Sequence, residues 1–210
     1  MKNKGLLICF TGIDGSGKTT LAKSLEASLK DSRKSCKYFW CGWRKFETPL
    51  FKSIVMMTKN LAKNKKIIIR QPSSNNFLFY VAWLDYFVRV FPNLLVSLYR
   101  YDVVIVDRYI YDIIIGFSMN AKSSRGEMNN TTEFFSLFPK PSIIFFIDLP
   151  IELAYARKDD IPSVNYLSQR KTMYLELLKN YQNKTIVLDG IKSKKELTDT
   201  IFEIVMGVVK

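Results

Sequence analysis

The chain has 210 residues, 48% of them hydrophobic, and 32 Lys and Arg against 19 Asp and Glu leave a net charge of +13. This supports one sizeable core and one domain. The absence of histidine excludes His-based metal sites and His general bases. The positive surplus suits polyanionic ligands such as nucleotides, nucleic acid or an acidic membrane surface; it equally fits a lysine-rich surface spread over solvated faces.

The first apolar run, Leu6–Phe10 (LLICF), is short and stopped by glycine, as a buried strand should be. It is too short for a signal peptide and leads straight into Gly12-Ile13-Asp14-Gly15-Ser16-Gly17-Lys18-Thr19, a match to G-x-x-x-x-G-K-[ST]. Glycines there let the backbone wrap with its N–H groups inward, forming an anion-binding nest. A helix is expected from near Gly17, with Leu21, Ala22, Leu25 and Leu29 on one face. Its positive N-terminus then points at the phosphates as well. In such a loop, running from Gly12 through Thr20, Lys18 reaches the β- and γ-phosphates of ATP and the Thr19 hydroxyl ligates Mg²⁺.

Further strands are expected at Lys37–Cys41, Val103–Asp107, Ser142–Asp148 and Thr185–Asp189, with helical patterns between them. That alternation predicts an α/β, three-layer P-loop fold with a five-stranded parallel sheet flanked by helices. Residues 63–76 and 119–132 read as loops. Asp85 and Arg89 interrupt the most aromatic segment, leaving no run of about eighteen uncharged apolar residues. A helix after Pro162 carries Leu167, Tyr174, Leu178 and Tyr181 at helical spacing, as core. The last helix opens with a Ser193/Glu196 capping box and turns Leu197, Ile201, Ile204, Val205 and Val208 inward. Cys9, Cys36 and Cys41 show no metal-ligand spacing; their odd number without a secretory signal indicates reduced thiols, hence a soluble cytoplasmic protein.

The strand Val103–Asp107 ends in a carboxylate. Beside a P-loop, such a strand-end Asp commonly supplies a carboxylate of the Mg²⁺ environment. Hydrolytic P-loop motors follow it with a glutamate, whereas Arg108 follows here. Arginine cannot take a proton but clamps an anion in bidentate fashion, which favours transfer to a phosphorylated acceptor over hydrolysis. Without the P-loop, the same pair would read as a surface ion pair at a strand end.

"GIDGSGKTT" followed by "VIVDRYIYD" resembles the thymidylate kinase family of nucleoside monophosphate kinases, and the resemblance continues through "FFIDLPIELAYARK" and "YLELLKNYQNKTIVLDG". It implies a five-stranded parallel P-loop fold, often dimeric, moving the γ-phosphate of ATP onto dTMP with Mg²⁺. It further implies that Asp107 sits near the metal and acceptor, that Arg108 holds the acceptor phosphate and that Tyr109 borders its sugar. Some members carry an arginine within the P-loop, at the place of Gly15. Here the cation over the transferring group should come from the lid, about 155–163, with Arg157 and Lys158 as candidates and Arg170 more distant. The alternative for these residues is a solvated charge cluster.

Two acceptor-side segments depart from the family. An Arg-Glu-Pro-Gly-Gly segment is replaced by Trp40-Cys41-Gly42-Trp43-Arg44, where Arg44 could restore the charge. In "NFLFYVAWLDYFVRV", Phe79 or Tyr80 could stack on thymine, but no arginine follows until Arg89, and Asp85 would repel a phosphate. Beside phosphorylation of dTMP, the sequence therefore admits the same chemistry on another nucleotide, a nucleoside or a small molecule. A nucleic-acid-stimulated P-loop ATPase is a third reading, disfavoured by the Asp-Arg pair and the lack of a nucleic-acid module.

Overall fold

In a computed structural model, residues 5–42, 53, 77–120, 132–133 and 135–209 are described, side chains of 77–79 and 120 excepted. Strands β1 (Leu6–Thr11), β2 (Cys36–Trp40), β3 (Val103–Asp107), β4 (Ile143–Asp148) and β5 (Thr185–Asp189) alternate with helices. The helices are α1 (Lys18–Asp31), α2 (Phe77–Arg100), α3 (Ile110–Asn120), α4 (Ile151–Ala156), α5 (Val164–Leu178) and α6 (Lys194–Val208). All strand pairs are parallel, in the order β2-β3-β1-β4-β5. The expected five-stranded parallel sheet is therefore present, with bounds shifted by one residue at β2 and β4.

The chain divides into two compact units: one of residues 1–42, 94–112 and 139–210, the other of 43–93 and 113–138. In the first, β1, β3 and β4 are almost wholly apolar because both faces of a parallel sheet are covered. Ile8, Phe10, Ile105, Phe145 and Ile147 pack with Leu21, Ala22, Leu25 and Leu29 of α1 and Leu197, Ile201 and Val205 of α6. The capping box of α6 is formed: Ser193 Oγ accepts from Glu196 N–H while the Glu196 carboxylate accepts from Ser193 N–H. Val208 lies outside the expected apolar face, 50% exposed near the helix end. On α5, Leu167, Tyr174 and Leu178 are buried as expected. Tyr181 falls beyond that helix, in a 3₁₀ turn over Lys179–Lys184. All three cysteines are buried and free of disulfides.

The second unit is aromatic. Trp83, Phe87 and Phe91 stack along α2 at 5.2 and 4.6 Å, and Phe138 meets Phe87 and Phe91 edge-on at 5.7 and 5.6 Å. Offset and edge-on pairs suit the ring quadrupole and pack without cavities. Asp85 is fully buried. Over Tyr80–Arg100, α2 is long and apolar enough to cross a membrane by length and composition alone, with a mean hydropathy of 1.3. Asp85 and Arg89 lie within this stretch. The expected loop at 63–76 lies outside the described residues. So does most of the one at 119–132, whose first two residues close α3.

Candidate active site

The loop after β1 and the turn after β3 meet because those strands are neighbours in parallel register, Phe10 opposite Asp107. Parallel strands present their carboxyl ends on one edge of the sheet, where ligands of this fold class bind. Two loops far apart in sequence therefore share that edge.

Within the P-loop, Gly15 has φ of 83° and Gly17, the cap of α1, has φ of 92°. Both need the left-handed region that other residues occupy at a cost. A Cβ on Gly15 would also overlap the carbonyl oxygen of Ala154 in α4. The backbone of α4 thus fills the place where a side chain at position 15 would leave the loop. Gly15→Ala is expected to cost about 2–4 kcal/mol of stability, combining backbone strain and overpacking. Urea unfolding checks this, and a loss below about 1 kcal/mol would mean that α4 yields to the added methyl.

Lys18 crosses the loop it belongs to. Its Nζ donates to Gly12 O at 2.7 Å, Ile13 O at 2.6 Å and Ser16 Oγ at 3.5 Å, and the residue is 4% exposed. Burial, with Arg108 adding repulsion, lowers its pKa to about 8 against the pull of Asp112, Asp14 and Asp107. Thr19 Oγ1 donates to Asp107 Oδ2 at 2.6 Å, and the Tyr38 hydroxyl donates to the same oxygen at 3.0 Å. Asp107 Oδ1 is buried with no hydrogen-bond partner among the described residues. An unsatisfied buried carboxylate oxygen beside a hydroxyl matches the hard oxygen donors that Mg²⁺ takes alongside water and phosphate. Tyr38 is a contact that sequence reading missed. Only the alternation of β2 could have placed it on the side of Asp107.

Arg108 adopts φ of 58°, a conformation uncommon outside glycine. It turns the chain off β3, with its N–H donating to Phe10 O at 3.2 Å. The guanidinium then lies between two carboxylates: it pairs closely with Asp14 and, at 3.3 Å, with Asp112 Oδ1. Burial favours Asp14 as the neutral acid, but Arg108, Lys18 and Arg170 together outweigh that and hold its carboxyl down at about 2. Arg108 is likewise pushed above its ordinary value, the two carboxylates overcoming the effect of burial. Arg170 of α5 is 6% exposed and comes within 4.0 Å of Asp14 and 3.9 Å of Asp112.

The outcome for the expected residues is mixed. Gly15, Gly17, Lys18, Thr19, Thr20, Arg108, Arg157 and Lys158 line one cleft. Gly12 and Ser16 lie in the same loop and are buried. Asp14 faces Arg108, as the ion pair shows. Lys158 pairs with Asp160 at 2.8 Å, while Arg157 caps α4 and is exposed. Tyr109 is fully buried, and its hydroxyl donates to Pro139 O at 3.0 Å. The strand-end turn at Arg108 sends the next side chain inward. Tyr80 is exposed; Arg44 and the Phe79 side chain lie outside the described residues. Sequence reading set Arg170 aside as distant and gave Asp112 no role. The latter had a legible signal, its place four residues after Arg108 at a helix start.

The family model for thymidylate kinase matches residues 10–201. A relative named "probable thymidylate kinase" from Sulfurisphaera tokodaii is 28% identical over 211 residues, covering 97% of each chain. "Probable thymidylate kinase 1" of Saccharolobus solfataricus is 28% identical over 205 residues, covering 95% of this chain and 96% of its own. The solved thymidylate kinase of Candida albicans superposes with a TM-score of 0.66 at 21% identity, over 99% of this chain and 93% of that one, a likeness of fold. With the P-loop, the Asp107–Thr19 contact and a match across most of its length, the chain belongs to the thymidylate kinase family.

Proposed function

We propose that this protein acts as one kinase domain that transfers the γ-phosphoryl group of ATP to dTMP, giving dTDP and ADP. The observation that carries this reading is the approach of Asp107 and Arg108 to the P-loop, a metal-side carboxylate and an anion clamp at one sheet edge. Backbone N–H groups over Gly12–Thr20 seat the phosphates of ATP. Lys18 turns from the carbonyls of Gly12 and Ile13 to the β- and γ-phosphates. Arg108, with Arg44 in support, holds the acceptor phosphate in line. An acceptor phosphate oxygen forms the new bond to the γ-phosphorus as the bond to the β-phosphate bridging oxygen breaks, and ADP leaves with that electron pair. The attacking phosphate is already an anion, so no general base is required. Arg157 and Lys158 offset charge on the transferring group as the lid excludes water. Thr19 and Asp107 would hold Mg²⁺, which would neutralise charge on the phosphates of ATP.

Exposed Tyr80, or Phe79 before it in the chain, stacks on the thymine base; Leu84 and Val88 follow at four-residue spacing on α2 and are exposed too. We read this apolar face as part of a homodimer contact of a soluble cytoplasmic enzyme. The net charge then serves anionic nucleotides, not nucleic acid or a membrane.

ADP release from Mg·ATP, with nucleoside monophosphates and nucleosides offered singly, tests the assignment. Fast turnover with dTMP is expected. ATP binding without turnover on any of them would retain the P-loop and remove the acceptor assignment, and turnover requiring nucleic acid would favour an ATPase.

The pH dependence has a defined sign. With its pKa at about 8, Lys18 loses its proton in the ATP-free enzyme as pH rises through that value. Only the ammonium form attracts the phosphates, so kcat/KM for ATP is expected to fall above about pH 8. ATP binding there should take up a proton, measurable by calorimetry in buffers of different ionisation enthalpy. A flat profile from pH 7 to 10 would remove Lys18 from the ATP-binding step.

A further inference from the structure

Beneath Arg108 lies a buried network that the phosphoryl-transfer scheme does not use. Arg170 donates through Nη1 to the Tyr166 hydroxyl at 3.0 Å and through Nη2 to the Tyr174 hydroxyl at 3.2 Å. Tyr174 in turn donates to Asp112 Oδ1 at 2.7 Å, and Thr11 Oγ1 donates to Asp112 Oδ2 at 3.1 Å. Asp112 is 7% exposed, and Arg170 Nε is buried without a hydrogen-bond partner among the described residues. Side chains from β1, α3 and α5 thus fix one buried carboxylate and one buried guanidinium in place.

The charges explain why both are needed. Arg108 is shared between Asp14 and Asp112. With the Lys18 ammonium engaged by the P-loop carbonyls and serving the ATP side, those two carboxylates and one guanidinium leave an excess negative charge where an anionic acceptor must approach. Arg170, 4.0 Å from Asp14 and 3.9 Å from Asp112, cancels it. A buried ion pair is seldom more stabilising than apolar side chains of the same volume. Stability alone therefore gives little reason to bury Arg170. We propose that Arg170 is a positioning residue for the acceptor side: it neutralises Asp112, so that Arg108 stays aimed from its carboxylate cradle and can hold a phosphate dianion. This rests on the reading of Arg108 as the acceptor clamp. Arg170 itself touches the two carboxylates and two tyrosines, and is given no contact with a nucleotide.

The test compares wild type, Arg170→Lys, Arg170→Gln and the Asp112→Asn/Arg170→Gln double variant in steady-state kinetics. Arg170→Gln should raise KM for dTMP about tenfold or more while KM for ATP stays within about twofold. Arg170→Lys should keep most acceptor affinity because it keeps the charge. The double variant, with the excess carboxylate removed, should return KM for dTMP to within about threefold of wild type. Equal losses for ATP and dTMP, or a double variant no better than Arg170→Gln, would overturn the proposal and leave Arg170 as scaffold. If wild type phosphorylates no nucleoside monophosphate, the kinase reading itself fails, and charge compensation is then read from thermal unfolding without ligand. In wild type, Asp14 keeps its charge down to about pH 2, so its ion-pair stability is present above the ordinary carboxylate range and lost toward that pH. The Tm gap between wild type and Arg170→Gln should therefore narrow from pH 7 to pH 3. A gap constant with pH would overturn the proposal.

Discussion

Lys18→Met is expected to lower kcat/KM for phosphoryl transfer by about 10³-fold or more while leaving the protein folded. Phosphoryl transfer is mostly positioning and charge stabilisation, and losing one cation aimed at the phosphates is worth about that much. Folding should survive because Lys18 is buried at a cost. Its pKa of about 8 lies below the ordinary lysine value, so the folded state binds the proton less well than the unfolded chain. The penalty is present below about pH 8 and fades as pH rises toward the ordinary value. Methionine removes the charge and keeps most of the volume, so the relieved burial cost offsets the lost hydrogen bonds to the Gly12 and Ile13 carbonyls. Tm at pH 7 should stay within a few degrees of wild type or rise. Near-normal turnover by a folded Lys18→Met protein would place the ATP phosphates elsewhere.

Arg108→Ala should damage both acceptor use and stability, by separable routes. On the acceptor side, the loss of a bidentate clamp should raise KM for dTMP about 10²-fold with ATP affinity nearly unchanged. On the folding side, Asp14 and Asp112 would lose their shared cation, leaving Arg170 and Lys18 to face them. Breaking such a part-buried pairing is expected to cost about 2–4 kcal/mol. Measuring ATP binding and urea unfolding together with acceptor kinetics keeps the two effects apart. Unchanged dependence on acceptor concentration would remove Arg108 from the acceptor site. Arg108→Lys should recover part of the stability but little of the acceptor affinity, since a point charge cannot reproduce the planar fork. The left-handed backbone at Arg108 is a further constraint: any side chain there carries the same strain, so a Gly at this position controls for it.

The P-loop is legible in the sequence, because glycine, lysine and threonine at fixed offsets act locally, through backbone freedom and a helix end within ten residues. So is the parallel sheet, whose continuous apolar runs at Val103–Asp107 and Ser142–Asp148 need cover on both faces. The Ser193/Glu196 box was equally readable, since both hydrogen bonds span three residues. Tertiary structure alone decided what long-range contacts impose. Gly15 reads as one more flexible loop residue until the backbone of Ala154 is seen against it. The complete burial of Tyr109, next to a left-handed turn at Arg108, shows in no local pattern. Asp112 and Arg170 stand 58 positions apart in the chain and show no shared pattern. Only the folded chain, with Tyr174 of α5 bonded to Asp112, brings them to 3.9 Å. Local chemistry is written in spacing, whereas the charge balance around Arg108 depends on which helix the sheet places beside it.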